Sequence, residues 1–139
     1  GLRSLCRQES ELIRSRGGRD LLPFFAFRLP PPEEAAQRIK DFLGDRPLYI
    51  SFDADALDPS LVPGTGTPEP GGVPYEWVQS LWVHLLPRVR LLGMDFCELA
   101  PLPSSGVVSE SVAVKCINRI LACAFGMGSE DINQGPRVD

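Results

Sequence analysis

The spacing of apolar positions divides the chain into alternating helices and strands. In PPEEAAQRIKDFLG (31–44), Ile39, Phe42 and Leu43 fall on one side at helical spacing. Prolines open the run, Glu33 and Glu34 occupy its first turn, and Gly44 follows the last periodic residue, so a helix is predicted with both ends marked. PYEWVQSLWVHLL (74–86) has the same period and is closed by Pro87. Helices are also predicted over RQESELIRSRGG, ending at Gly17, and over SESVAVKCINRILACAF (109–125), with Ser109 as its N-cap. The runs PLYISF (47–52) and VRLLGMDF (89–96) lack polar alternation, as expected of strands buried on both faces of a parallel sheet. LLPFFAF (21–27) is predicted as a further short buried strand. Helices and strands in this alternation indicate an α/β fold, a sheet with helices on its faces. Residues 126–139 are polar and are expected to form a frayed tail after a domain spanning 1–125. No internal repeat or low-complexity tract is visible.

Composition narrows the class. A chain of 139 residues is long enough for one ordinary domain with a real core but short for two. Hydrophobic residues at 43% and charged residues at 23% give a globular balance. The net charge of −4, with no basic run, supplies no electrostatic footprint for nucleic acid. No apolar stretch approaches the roughly 20 residues of a membrane-spanning helix. No signal peptide is visible, and because the first residue is Gly1 rather than Met, a processed or missing N-terminus stays open. Cys6, Cys97, Cys116 and Cys123 are scattered, without a CxxC pair, and His84 is the only histidine. That pattern argues against a Cys/His zinc site and a disulfide scaffold, and fits reduced thiols in a cytoplasmic protein. Cys116 and Cys123, seven apart, are expected on the buried face of the last helix.

The chemistry concentrates in YISFDADALDPSLVPGTGTPEPGG (49–72), where Asp53, Asp55 and Asp58 would repel one another unless something held them. On a strand, residues i and i+2 share a face, so Asp53 and Asp55 are expected to point the same way. They stand where the apolar run stops, at the carboxyl end of a strand, which is where open α/β sheets bind ligands. Two residues of strand separate Cα atoms by roughly 6.6 Å, and paired catalytic metals stand about 3.5–4 Å apart. One carboxylate could therefore bridge a metal pair while the other binds one metal, and hard oxygen donors favour Mg²⁺, Ca²⁺ or Mn²⁺. The same carboxylates could equally cap the loop by hydrogen bonds, and the spacing alone leaves both readings open. An EF-hand is excluded, because the positions required to hold a third carboxylate or amide, a glycine and a glutamate hold Leu57, Asp58 and Gly64. GTGTPEPGG lacks the G-K-[ST] of a phosphate loop. Asp58, before Pro59, is read as a turn cap. Asp95 is either an outer support of the site or a hydrogen-bonded structural residue, Cys97 is placed on the face opposite Glu98, Trp77 and Trp82 are core or interface anchors, and His84 is structural.

The run SFDADALDPSLVPGTGTPEPGG resembles the third signature of the ureohydrolase family, the arginases, agmatinases and their relatives, with Ser51, Phe52, Asp53, Asp55, Pro59, Pro63, Gly64 and Gly72 in place and Ala54 where a bulkier aliphatic is usual. GLRS at the start and GMDFCELAP after the second long helix extend the likeness along the chain. The resemblance implies a three-layer α-β-α, arginase/deacetylase-like fold with a mainly parallel sheet, of which this chain is the C-terminal portion. It also implies two Mn²⁺ ions that lower the pKa of a shared water, so that hydroxide attacks a guanidinium carbon and releases urea and an amine. By the same likeness Asp53 bridges the metals, Asp55 binds one, Glu98 holds the substrate guanidinium, and Thr67 belongs to the active-site loop. A trimer or hexamer is implied for the full-length protein.

The remaining metal ligands of that family lie in G-G-D-H and D-A-H-x-D motifs, and neither occurs here. The expectation is an inactive fragment of a longer enzyme. The alternative from another class is a non-catalytic pseudoenzyme or partner subunit. Arginases carry an acidic pair near this segment's start that reads the α-amino group, and Ser4 and Cys6 stand in those positions. Agmatine, cleaved to putrescine, is therefore the leading substrate. Arginine, guanidinobutyrate, guanidinopropionate and formimino compounds such as formimidoylglutamate follow.

Overall fold

The computed structural model describes residues 2–103 and 106–126; the expected tail lies, from 127 onward, outside the described residues. Four helices and two strands follow in order: α1 (Arg7–Arg16), α2 (Pro32–Leu43), β1 (Leu48–Asp53), α3 (Tyr75–Leu85), β2 (Leu91–Cys97) and α4 (Val108–Ala124). Short 3-10 turns occupy Ala26–Arg28, Ala54–Ala56 and Leu86–Arg88.

Local chemistry accounts for the helix ends. At α1 the Cys6 amide donates to Glu9 Oε2 at 2.7 Å, and the Gly17 amide closes the far end on the Ile13 carbonyl at 2.8 Å. α2 opens on Pro32 with Glu33 and Glu34 in its first turn, and stops at Gly44, whose φ of 57° lies in the left-handed region. Ala35 and Ala36 are its fully buried residues, so α2 approaches α3 closely, while Ile39, Phe42 and Leu43 are half-buried at its rim. α3 ends at Leu85, and Pro87 follows inside the 3-10 turn.

The two strands pair in parallel with Ile50 opposite Met94 and Phe52 opposite Phe96. Phe52 and Phe96 stack with ring centroids 5.0 Å apart, and Trp82 of α3 closes on Phe52 at 6.4 Å. Ile50 and Phe52 join Val78, Leu81, Trp82 and Leu85 of α3 and Cys116, Ile120 and Cys123 of α4 in one core. Trp77 anchors α3 to the preceding loop, its Nε1 donating to the Pro30 carbonyl at 2.7 Å. All four cysteines are free, and burial pushes the Cys116 thiol up to about 11.

Three expectations are corrected. The run 21–27 is not a strand: Leu2 meets Phe25 in a single parallel bridge, the chain turns at Ala26–Arg28, and Phe27 is 73% exposed. Pro23 has no amide to donate, and among the described residues the run meets only single-residue partners, Leu2 at Phe25 and Gly17 at Leu21. Neither β1 nor β2 is buried on both faces: Leu92 is 62% exposed, and Tyr49, at 57%, Ser51 and Asp95 are exposed because the helices α3 and α4 cover only the Ile50/Phe52 face. Ser109 is not the N-cap of α4, a position held by Val107. It is fully buried inside the first turn, where its Oγ accepts from the Gly64 amide at 2.9 Å.

Candidate functional site

β1 ends at Asp53, opposite Cys97 at the end of β2, so both strands deliver their carboxyl ends to the same edge of the fold. The strand geometry expected to align Asp53 with Asp55 stops at Asp53. There the backbone enters the Ala54–Ala56 turn, and Asp53 Oδ1 caps it by accepting from the Asp55 amide at 3.0 Å. Asp53 thus takes part in the loop-capping that the sequence left open, through its Oδ1. Burial raises the Asp53 carboxyl above its ordinary value, against the opposing pull of the Asp55 amide.

Asp55 is held from the far side of the loop. Thr67 Oγ1 donates to Asp55 Oδ2 at 2.6 Å, and Arg3 Nη2 donates to the Asp55 carbonyl at 2.5 Å. Glu98 arrives from the other strand. Its φ of 58° makes it the one non-glycine residue with positive φ among the described residues, a conformation that costs about 1–3 kcal/mol. That kink turns the chain so that Leu99 bridges Thr65 and the Ala100 amide reaches the Gly64 carbonyl at 2.8 Å. The Glu98 carboxylate then lies beside Gly66, with Oε2 3.7 Å from where a Cβ on that glycine would stand. Asp53, Asp55, Thr67 and Glu98 are therefore assembled around one loop.

Asp58 organises that loop. Its Oδ1 accepts from the Ser60 amide and hydroxyl at 3.0 and 2.6 Å, and its Oδ2 from the Gly71 and Gly72 amides at 2.9 and 3.3 Å. The Ser60 hydroxyl, its amide and the two glycine amides hold the carboxyl down at about 2, against an ordinary 3.8. A folded value below the unfolded one stabilises the fold above the unfolded value, and that contribution is lost as pH falls through about 2. Asp58→Asn should be less stable than the parent at neutral pH, with the difference shrinking in acid. Melting curves at neutral pH and near the folded value test this, and a pH-independent gap would contradict it.

Other residues fall away from the site. His84 is half-buried in the last turn of α3, which leads into the start of β2 and so lies at the opposite end of the sheet from Asp53. Asp95 bonds across the sheet, accepting from Tyr49 Oη at 3.0 Å and Ser51 Oγ at 2.8 Å on the uncovered face. The Cys97 thiol is turned to the Phe52 carbonyl at 3.6 Å. Sequence reasoning missed Arg3 as a site residue, and also Thr65, whose buried hydroxyl has no hydrogen-bond partner among the described residues. Neither carries a local signal, because both act through contacts distant in sequence.

The profile of the arginase family matches residues 1–123. The chain belongs to the arginase family. It is 42% identical over 101 residues to the N(1)-aminopropylagmatine ureohydrolase of Thermus thermophilus, covering 73% of this chain and 33% of that protein. It is 46% identical over 63 residues to the agmatinase of Chromobacterium violaceum, covering 45% of this chain and 19% of that one. The arginase of Bacillus caldovelox superposes with a TM-score of 0.75 at 26% identity, over 86% of this chain and 40% of that structure. The α/β arrangement of four helices and a parallel strand pair is thus that of the arginase fold, and the chain spans about a third of the length of the first relative.

The donors present suit a hard divalent cation, since Asp53 and Asp55 offer carboxylate oxygens and burial at Asp53 disfavours an uncompensated negative charge. Among the described residues no three His, Cys, Asp or Glu side chains converge as a metal site. Within those residues no helix is long and apolar enough to cross a membrane.

Proposed function

We propose that this arginase-family chain supplies one part of a binuclear manganese ureohydrolase acting on a linear guanidino compound, with agmatine cleaved to urea and putrescine as its reaction. The observation that carries the proposal is the assembly around a single loop of Asp53, Asp55 held by Thr67, and Glu98 beside Gly66. Asp53 and Asp55 would hold Mn²⁺, which when bound supplies an activated water. Glu98 presents a carboxylate for the planar guanidinium, which matches two oxygens with two N–H groups and is fixed by the kinked backbone rather than by a flexible arm. Thr67 keeps Asp55 oriented by its 2.6 Å bond. No histidine of this chain stands near that edge to move a proton or complete the ligand set, so the chain alone would be inactive.

Agmatine is favoured over arginine because Ser4 and Cys6 replace the acidic pair that would read an α-amino group. The relatives named agmatinase and aminopropylagmatine ureohydrolase point to the same decarboxylated chain, bare or extended. Formimidoylglutamate, guanidinobutyrate and arginine itself rank below it. The complete enzyme would be a cytoplasmic homo-oligomer, a trimer or hexamer, that supplies putrescine for polyamine synthesis. Side-by-side urea assays on the completed protein should show agmatine hydrolysed well and arginine poorly, and the reverse order removes the substrate assignment. A second reading, a non-catalytic partner subunit, is favoured by the incomplete ligand set. The coding sequence upstream of Gly1 separates the two: histidine motifs in frame support the enzyme, and a start codon immediately before Gly1 supports the subunit.

A further inference from the structure

Arg3 sits in the short GLR stretch, far in sequence from every other site residue, yet only 13% of its side chain is exposed. Its backbone is anchored beside it, since the Leu2 amide donates to the Phe24 carbonyl at 2.7 Å and the Ala26 amide to the Leu2 carbonyl at 2.9 Å. From there the guanidinium reaches two separate loops. Nη2 donates to the Asp55 carbonyl and Nη1 to the Glu69 carbonyl, each at 2.5 Å. The carboxylates of the same two residues are farther off, Asp55 Oδ1 3.9 Å from Nη2 and Glu69 Oε2 3.8 Å from Nε. The short bonds therefore go to the backbone, and charge attraction to the carboxylates is secondary.

These bonds close a ring. Arg3 ties the Asp55 backbone to Glu69, and two residues before Glu69 the Thr67 hydroxyl returns to Asp55 Oδ2. The Asp55 carboxylate is thereby fixed at its root and at its tip by the same short stretch of loop. We propose that Arg3 is a positioning residue, bridging the Asp55 and Glu69 carbonyls so that the Asp55 carboxylate is held ready for a metal ion. The proposal rests on the reading of Asp55 as a metal ligand. It requires a planar fork with two nitrogens pointing at two acceptors, which an ammonium on a flexible stem does not reproduce.

The test uses the 139-residue chain with Arg3→Met, Arg3→Lys and Glu69→Gln, read by amide hydrogen exchange and by Mn²⁺ affinity from the paramagnetic resonance of free Mn²⁺. In Arg3→Met, protection should fall selectively over 54–73, at amides such as Asp55, Leu57 and Val73, while the α3 amides keep theirs. Mn²⁺ affinity should fall about 10-fold or more, as it does when a ligand's supporting partner is removed. Arg3→Lys should fail to rescue either readout, and Glu69→Gln should leave both near the parent, because Glu69 contributes its backbone. Unchanged protection over 54–73, uniform loss across the whole fold with unchanged affinity, or full rescue by lysine would each overturn the proposal. If the parent chain, with only part of the ligand set, takes up no Mn²⁺, the metal reading of Asp55 is decided by Mn²⁺ affinity of the chain completed with the histidine-bearing half. Exchange then decides Arg3 alone: selective loss over 54–73 supports the bridge, and unchanged protection overturns it.

Discussion

Changing Asp55 to Asn is expected to cut Mn²⁺ affinity by at least about 100-fold and, in the completed enzyme, to abolish urea release. The size follows from what is removed. Loss of an outer partner of a metal ligand costs about 10–100-fold, and Asp55→Asn removes the charged donor itself. The fold should survive, because the side-chain amide oxygen of the variant can still accept from Thr67 Oγ1 and the Arg3 bond goes to the backbone carbonyl, which the substitution leaves in place. Asp53→Asn should behave alike, retaining an oxygen to accept from the Asp55 amide. Thr67→Val gives the contrast: it leaves both carboxylates but frees the tip of Asp55, and should cost about 10-fold. Mn²⁺ titration with a melting curve on each variant checks this. Equal affinity in parent and Asp55→Asn would remove Asp55 from the site.

The largest stability effect is expected at Gly72. A Cβ there would stand 2.3 Å from the Asp58 amide nitrogen and 2.3 Å from the Leu57 carbonyl carbon. Both are backbone atoms, so no flexible side chain can yield. The crowding comes from the bridge of Leu57 with Val73, whose amide bonds the Ala56 carbonyl at 2.8 Å and folds the loop back beneath the Asp53–Asp55 turn. Gly72→Ala should therefore cost about 3 kcal/mol, the upper part of the range for overpacking. It should also weaken Mn²⁺ binding, because the segment it displaces supports Ala56, the residue after Asp55. Gly71→Ala differs in kind: a Cβ there meets open space, and its cost comes from the φ of 78° alone. Chemical denaturation of the two variants should rank Gly72→Ala as the less stable, and the opposite order would contradict the steric account.

The legible parts of the fold are those governed by local rules. α2 and α3 are marked by helical spacing, by proline at one end and by Gly44 or Pro87 at the other, and the structure places them within a residue or two of expectation. β1 and β2 were readable as apolar runs, and Cys116 and Cys123 as a buried stripe. What failed depends on neighbours. The run 21–27 has strand composition, but Leu2 and Gly17 each meet it at a single residue, so no ladder forms. The Tyr49 face of β1 is open because nothing among the described residues covers it, a fact that no periodicity encodes. Ser109 has the composition of a cap but is drawn inward by the Gly64 amide, from another part of the chain.

The candidate site divides in the same way. Asp53, Asp55 and Asp58 were noticeable because three carboxylates so close in sequence demand an explanation, and Asp58 capping the loop follows a turn rule. Glu98 and Thr67 came from family likeness rather than from spacing, and Arg3 from neither, since its partners stand at Asp55 and Glu69. The positive φ of Glu98 has no sequence signature, because backbone preference would place a glycine or an asparagine there before a glutamate.

The proposed assignment has this chain hold part of a manganese ureohydrolase site, with Asp53, Asp55 and Glu98 on it and the histidine-bearing part supplied from elsewhere. The decisive assay is urea released from agmatine in the presence of Mn²⁺, by the 139-residue chain alone and by the same chain completed with the histidine-bearing half. No urea is expected from the chain alone, and Mn²⁺-dependent urea is expected from the completed protein. Urea from the isolated chain, or none from the completed one, would refute the assignment.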